Sequence, residues 1–402
     1  MPLTPTAISL LQSSLRPERI RKKWGDAVGQ NSIHVVFAEE DALFRLMEMG
    51  LRRALTPEGE KTLRYFFGED FSAPLKELTT MADRLDLPQG IEVTVCQDET
   101  ILERTLPSAD FVVLEASTLD KKRVEACRAK TRLIQQFGRS YGNIDVATAR
   151  QLNIPVANLA RLSSQSSADH ITALILALAR NLLQAHRAVV GRRDPSATPV
   201  FATDPPRNKF NWAQIRGFKV LSRSTIGFIG LGENSGFVAK RMRDMGMRVL
   251  YFKRTRLNPE EENNFGGIAY TPLDELLAQS DFVSLHIPYG KNTEKFAGRD
   301  FFAKMKRGAH LINSARGGIL DEVALYESLK SGHLAGAALD VYRYEPVPPD
   351  TPLLDLDSVL WTPHISGGEP EYMINEAEAV LTNIANVFHG RRPQGLIPEF
   401  VS

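Results

Sequence analysis

The chain has 402 residues, of which 43% are hydrophobic and 24% charged, and its formal net charge is +1. That balance fits a globular protein with room for two domains and gives no electrostatic case for nucleic acid or an anionic membrane as partner. Cys96 and Cys127 stand alone, with neither metal-ligand spacing nor a disulfide framework, so no metal is expected, and no apolar run reaches the length of a membrane span.

The first 25 residues are rich in Ser and Arg, which reads as a basic surface arm, with organelle targeting as the alternative to a cytoplasmic location. From His34 onward, strand and helix patterns alternate. Apolar, β-rich runs occur at His34–Ala38, Ile91–Val95, Phe111–Leu114, Leu133–Phe137 and Pro155–Ala157. Helical stretches such as Lys121–Ala129 and Asp145–Leu152 separate them, which argues for a parallel sheet covered on both faces. Glu39–Leu87 is long for one crossover and reads as an added helical insertion. A single helix is expected from about Ser166 to Val190, apolar on more than one side. Gly191–Ser222, rich in Pro, Arg and Asn, reads as a linker or extended arm.

A second βα series begins at Ser224. A short apolar strand turns through Gly230-Leu231-Gly232 into an amphipathic helix that opens on Glu233, Asn234 and Ser235, and Val249–Phe252 follows as a strand. This is the strand–turn–helix–strand order of a dinucleotide-binding unit. Gly230 permits the tight turn, and Gly232 lets the backbone approach a pyrophosphate at the helix N-terminus. Ser235 occupies the third glycine position, and Lys253-Arg254-Thr255-Arg256 stand where an acidic residue would meet the ribose of NAD. Further strands are expected at Phe282–Ile287, His310–Asn313, Ala335–Val341 and Val359–Thr362, and a closing helix at Glu371–Phe388.

Arg316, Glu345 and His364 each follow one of these later strands, at the end where open α/β sheets place ligands. Together they form a chemical set. A guanidinium grips a carboxylate bidentately, a histidine exchanges a proton with an adjacent oxygen, and a carboxylate orients that histidine and stabilises its charged form.

The motifs FGRSYGNIDVATA, SADHITALILALAR, IGFIGLGENSGFVAKR, SLHIP, LINSARGGILDEVAL, AGAALDVYRYEP and TPHISGG, in this order from about Asp110 to Pro398, resemble the NAD(P)-dependent D-2-hydroxyacid dehydrogenase family, which includes phosphoglycerate dehydrogenases and glyoxylate/hydroxypyruvate reductases. The resemblance implies an α/β fold of two Rossmann-like, doubly wound parallel-sheet domains with the active site in the cleft between them. It implies a discontinuous substrate domain, 1–190 with 366–402, a cofactor domain over 191–365, and a homodimer formed through the long helix and the arm after it. It assigns Arg316 as substrate anchor, His364 as proton donor or acceptor, and Glu345 as its partner. Asp340 would help hold the nicotinamide end, and His286, Pro288, Asn313, Ser314 and Ala315 would lie on loops lining the cofactor.

Two departures carry expectations of their own. Where the family presents a Val-Gly pair to the substrate carboxylate, Arg139 and Ser140 stand instead, which suggests a substrate with a second anionic group. Lys253 removes the repulsion an acid would exert on a 2′-phosphate, and Arg254 or Arg256 can pair with that phosphate, so NADP(H) is expected to be preferred over NAD(H). Two other readings remain open at this point: a dinucleotide-sensing binding protein like the corepressors of this fold, and a dehydrogenase of a small anion such as phosphite.

Overall fold

The computed structural model describes residues 32–191, 210–367 and 369–401. The N-terminal basic stretch and residues 192–209 of the expected arm lie outside them. The chain divides into two compact units, Met1–Ser163 with Gly368–Ser402, and Ser164–Gly367. These divisions fall earlier than the expected boundary after residue 190 and close to the expected one after 365.

The first unit is built on a five-stranded parallel sheet of β1 (Ser32–Phe37), β2 (Gly90–Val95), β3 (Phe111–Leu114), β4 (Leu133–Phe137) and β5 (Val156–Leu159), ordered β2-β1-β3-β4-β5. That is the flavodoxin-like doubly wound order. Alternate residues of the strands serve opposite faces, as the two-residue period requires. Val35, Phe37, Phe111 and Val113 pack with the helices Ala42–Arg52 and Pro370–Phe388. Val36, Val112, Leu114 and Ile134 pack with Leu102, Val124 and Ala149 on the other side.

The stretch 39–87 corrects the sequence expectation. Its first helix, Ala42–Arg52, is no insertion but the crossover that covers β1, with Leu43, Phe44, Leu46, Met47, Met49 and Leu51 all buried. Asp41 starts it by accepting the Leu43 N–H at 2.8 Å. Only the helices Pro57–Phe67, Ser72–Thr79 and Met81–Arg84 are additions to that crossover. At the far edge, Leu396 bridges antiparallel to Ala157 and the Gly395 carbonyl accepts the Asn158 N–H at 2.8 Å. The chain after the last helix therefore covers the open side of β5, which would otherwise present unpaired backbone groups.

The second unit carries a seven-stranded parallel sheet of β6 (Thr225–Ile229), β7 (Arg248–Phe252), β8 (Ala269–Tyr270), β9 (Phe282–Leu285), β10 (His310–Asn313), β11 (Gly336–Leu339) and β12 (Val359–Trp361). The order is β12-β11-β10-β9-β6-β7-β8. The chain winds outward from β6 to β8, returns to β9 on the other side of β6, and continues to β12. The reversal leaves a crevice between the C-terminal ends of β6 and β9, where such sheets take their ligands.

The expected long helix is two helices, Ser163–Ala179 and Leu182–Val190, bent by 64°. Asn181 breaks it by adopting the left-handed conformation (φ 49°) and donating its side-chain amide to the Arg216 carbonyl. The first helix belongs with the second unit because Ala168, Ile171, Leu174 and Ile175 share a core with Ile226, Phe228 and Val238. That packing accounts for its apolar content. Among the described residues no single helix is long and apolar enough to cross a membrane.

Candidate functional site

All strands of the second unit run parallel, so the residues that follow them gather at one edge of the sheet. Gly230 follows β6, Lys253 follows β7, His286 follows β9, Ser314–Arg316 follow β10, Asp340 and Glu345 follow β11, and His364 follows β12.

At the crevice the glycine turn is fixed by sterics. Gly230 has φ 87°, and a β-carbon on it would meet the His286 carbonyl oxygen at 2.5 Å, so no other residue lets β6 cross so close to the end of β9. Gly232 begins the helix Glu233–Asp244, and a β-carbon there would project into open space above the turn. The buried hydroxyl of Ser235 accepts the Gly232 N–H at 2.8 Å, so the residue in the third glycine position caps the helix from within. The amides of Glu233 and Asn234 follow at the first two helical positions, where they have no intrahelical acceptor.

The loop after β10 is held by Asn313, which is fully buried. Its side chain accepts the Ala315 N–H and donates to the Arg316 carbonyl, both at 3.1 Å. The neighbouring Ser314 Oγ is buried with no hydrogen-bond partner among the described residues. An orphaned buried hydroxyl and an open cradle at Gly232, at the start of a helix, suit a dinucleotide. The His286 ring turns inward instead, bonded to Ser284 Oγ at 2.8 Å, so this residue offers the crevice its backbone. Pro288 is exposed on the following loop.

Beyond β7, Arg254 and Thr255 are exposed and Lys253 is half-buried. Arg256 is committed elsewhere: its Nε and Nη2 donate to Glu262 at 2.8 and 3.0 Å, and its guanidinium lies over Tyr270. Those bonds, with one from Tyr251, hold the Glu262 carboxyl at about 2. Arg254, by contrast, has no acid partner among the described residues.

Arg316 is exposed, and its Nη1 rests on the Ala315 carbonyl at 2.7 Å. Among the described residues no carboxylate pairs with it, which leaves the guanidinium fork open. Gly317 lies against the backbone of Tyr342 so closely that a β-carbon could not fit. Tyr342 in turn donates its hydroxyl to the Thr362 carbonyl at 2.6 Å and its N–H to Glu345 Oε1 at 2.9 Å. The other oxygen of Glu345 meets His364 Nδ1 at 2.7 Å. The loops bearing Arg316, Glu345 and His364 thus form one connected assembly, and the histidine's Nε2 has no hydrogen-bond partner among the described residues.

Asp340, which the resemblance places at the nicotinamide end, is anchored to the turn that carries His364. Its carboxylate is fully buried and accepts from the Thr362 hydroxyl at 2.6 Å and from the Ile365 and Ser366 N–H groups at 3.0 Å. His170 Nε2 lies 3.4 Å away. Burial opposes the charge, yet His170, Thr362 and the two amides outweigh it and hold the group at about 2. Asp340 therefore ties down the His364 loop.

Arg139 and Ser140 lie in the first unit, exposed after β4. The Arg139 carbonyl accepts from Asn158 Nδ2 at 2.7 Å, and Arg139 already has an interaction within the chain. Sequence reasoning missed two neighbours at this sheet edge. Arg161, after β5, pairs with Glu115 after β3, and its guanidinium lies 5.2 Å from the Phe137 ring centroid. Glu39, after β1, accepts the N–H groups of Glu115, Ala116 and Ser117. Only their position just past a strand could have marked them.

Residues 172–366 match the family model described as D-isomer specific 2-hydroxyacid dehydrogenase, NAD binding domain. A glyoxylate reductase of Korarchaeum cryptofilum is 33% identical over 329 residues, covering 82% of this chain and 94% of that protein. A D-3-phosphoglycerate dehydrogenase of Archaeoglobus fulgidus is 36% identical over 302 residues, 75% of this chain but only 53% of the relative. Among solved structures, a Thermus thermophilus protein superposes with a TM-score of 0.55 at 29% identity, covering 79% of this chain and 96% of that one.

Proposed function

The chain belongs to the D-2-hydroxyacid dehydrogenase family, and from that premise we propose that Arg316, Glu345 and His364 carry its reaction. Membership makes it an oxidoreductase that moves a hydride between a nicotinamide dinucleotide and a 2-keto or D-2-hydroxy acid. The observation that supports the residue assignment is the connected assembly around Tyr342, which joins an unpaired guanidinium to a carboxylate–imidazole pair.

When bound, the dinucleotide supplies or accepts the hydride. Gly230, Gly232, Glu233, Asn234, Ser235 and Ser314 would hold it. Arg316 grips the substrate carboxylate and turns the keto carbon toward the assembly. Glu345 orients the imidazole through Nδ1, so that Nε2 faces the carbonyl oxygen and donates its proton as the alcohol forms. In the opposite direction the same nitrogen takes the hydroxyl proton.

The finer reading is a preference for NADP(H), through Arg254 with Lys253, and a substrate bearing a second anionic group met by Arg139. One experiment tests both: NADPH and NADH oxidation with glyoxylate, hydroxypyruvate, oxaloacetate and 2-ketoglutarate. We expect kcat/KM at least about tenfold higher with NADPH, a margin of about 1.4 kcal/mol, and higher for the two dicarboxylates than for glyoxylate. Equal efficiencies with the two cofactors, or monoanions matching every dianion, would remove those assignments. No turnover with any keto acid would favour a dinucleotide-binding protein.

A homodimer is part of the same reading. Leu182 and Val189, 52% and 57% exposed, present apolar surface on the helix Leu182–Val190. Sedimentation of a monomer at micromolar concentration would rule it out.

A further inference from the structure

His364 sits in a backbone conformation that a non-glycine residue rarely adopts, φ 55°. Such a conformation persists only when its surroundings over-determine it. Here the surroundings are explicit. The His364 N–H donates to the Thr362 carbonyl at 3.0 Å, the two following N–H groups both end on Asp340, and the Thr362 hydroxyl ends there too. Three bonds from one five-residue turn thus converge on one buried carboxylate.

A buried anion held only by its own turn would be poorly balanced, because neutral donors offset the loss of hydration less well than charged or strongly polar ones. The remaining donor comes from a different element. His170 stands on the helix Ser163–Ala179, seven residues after the chain leaves the first unit, and its Nε2 lies 3.1 Å from Thr362 Oγ1 and 3.4 Å from Asp340 Oδ1. Thr362 already donates to Asp340, so the proton facing that pair belongs on His170 Nε2. The turn itself, at Ile365 and Ser366, ends just before the chain returns to the first unit at Gly368. His170 thereby joins the helix that opens the second unit to the turn that closes it.

We propose that His170 is a positioning residue for proton transfer: through Asp340 and Thr362 it locks the left-handed turn that aims His364. The proposal rests on the assignment of His364 above, but the lock itself is a property of the fold. Among the described residues no hydrogen bond or ion pair joins His170 to His364 or Glu345, so its contribution passes through the backbone of the turn.

The test uses the full chain, His170→Ala and His170→Gln, whose amide can restore a donor. Hydrogen exchange at Ile365 and Ser366, read by mass spectrometry, is expected to accelerate at least tenfold in His170→Ala and to stay within about threefold of the parent in His170→Gln. Turnover of the best keto acid should fall at least tenfold in His170→Ala with KM and dinucleotide affinity within about threefold, and return most of the way in His170→Gln. In a His364→Ala background the His170→Ala change should add no further loss. Unchanged exchange at the turn would overturn the proposal, as would a loss confined to cofactor affinity or a further loss without His364. If His170→Ala fails to fold, His170→Gln compared with Thr362→Val decides, since only the latter should then loosen the turn. A parent that reduces no keto acid would sink the function while leaving the exchange result to judge the lock.

Discussion

Replacing His364 with Gln is expected to lower kcat for keto-acid reduction by roughly 10²–10⁴-fold, the range that a positioned acid–base group supplies. The dinucleotide should still bind with near-parent affinity, because no contact of His364 reaches the glycine turn; its side-chain partner is Glu345. The loss should fall on kcat more than on KM, since the proton is transferred only as the alcohol forms. Gln keeps a polar side chain of similar reach in a turn that tolerates it poorly (φ 55°), so circular dichroism and a thermal melt should accompany the kinetics. A kcat within threefold of the parent, in a folded variant, would take the proton away from this residue.

Replacing Arg316 with Ala should be nearly as damaging, by another route. A guanidinium bound bidentately to a carboxylate is a strong, oriented contact, and truncating one partner of such a pair costs about 2–5 kcal/mol. That corresponds to roughly 30- to 5,000-fold in kcat/KM. KM should rise sharply and kcat should fall as well, because an unanchored keto acid no longer presents its carbonyl to His364. Lys should recover only part of the loss, since a point charge lacks the fork. Stability should change little, as the Arg316 side chain is exposed and, among the described residues, bonds only its neighbour's carbonyl. Steady-state kinetics with glyoxylate, where the carboxylate is nearly the whole molecule, gives the clearest reading.

The strands and the glycine turn were legible because their signals are local: short β-rich runs between helical patterns, and glycines at the one point where backbone must pass backbone. Arg316, Glu345 and His364 were legible for a related reason, each standing just past a strand in a sheet whose strands all run one way. What escaped is decided by contacts distant in sequence. β8 is two residues long and exists by pairing with β7, and the helix break at Asn181 depends on an acceptor at Arg216. Arg256 looked as available as Arg254 until Glu262 was placed beside it. Nothing near Asp340 in sequence announces that His170 and the 362–366 turn come together on its oxygens. The role of the helix Ala42–Arg52 was hidden by the three helices after it, which made a core element look like part of an appendage.

The helix Pro370–Phe388 belongs to a core whose other members are made more than two hundred residues earlier: Leu381 and Ile384 pack with Phe44, Met47 and Leu51. A chain leaves the ribosome N-terminal end first, and domains close when their last element emerges. The second unit, contiguous from Ser164 to Gly367, has all its strands in hand before that helix exists. The first unit has its five strands far sooner yet waits for that helix, holding the apolar side of Ala42–Arg52 without its cover. During synthesis the apolar face of Ala42–Arg52 is thus the one left uncovered longest, and the contiguous second unit is complete before the unit that precedes it in sequence.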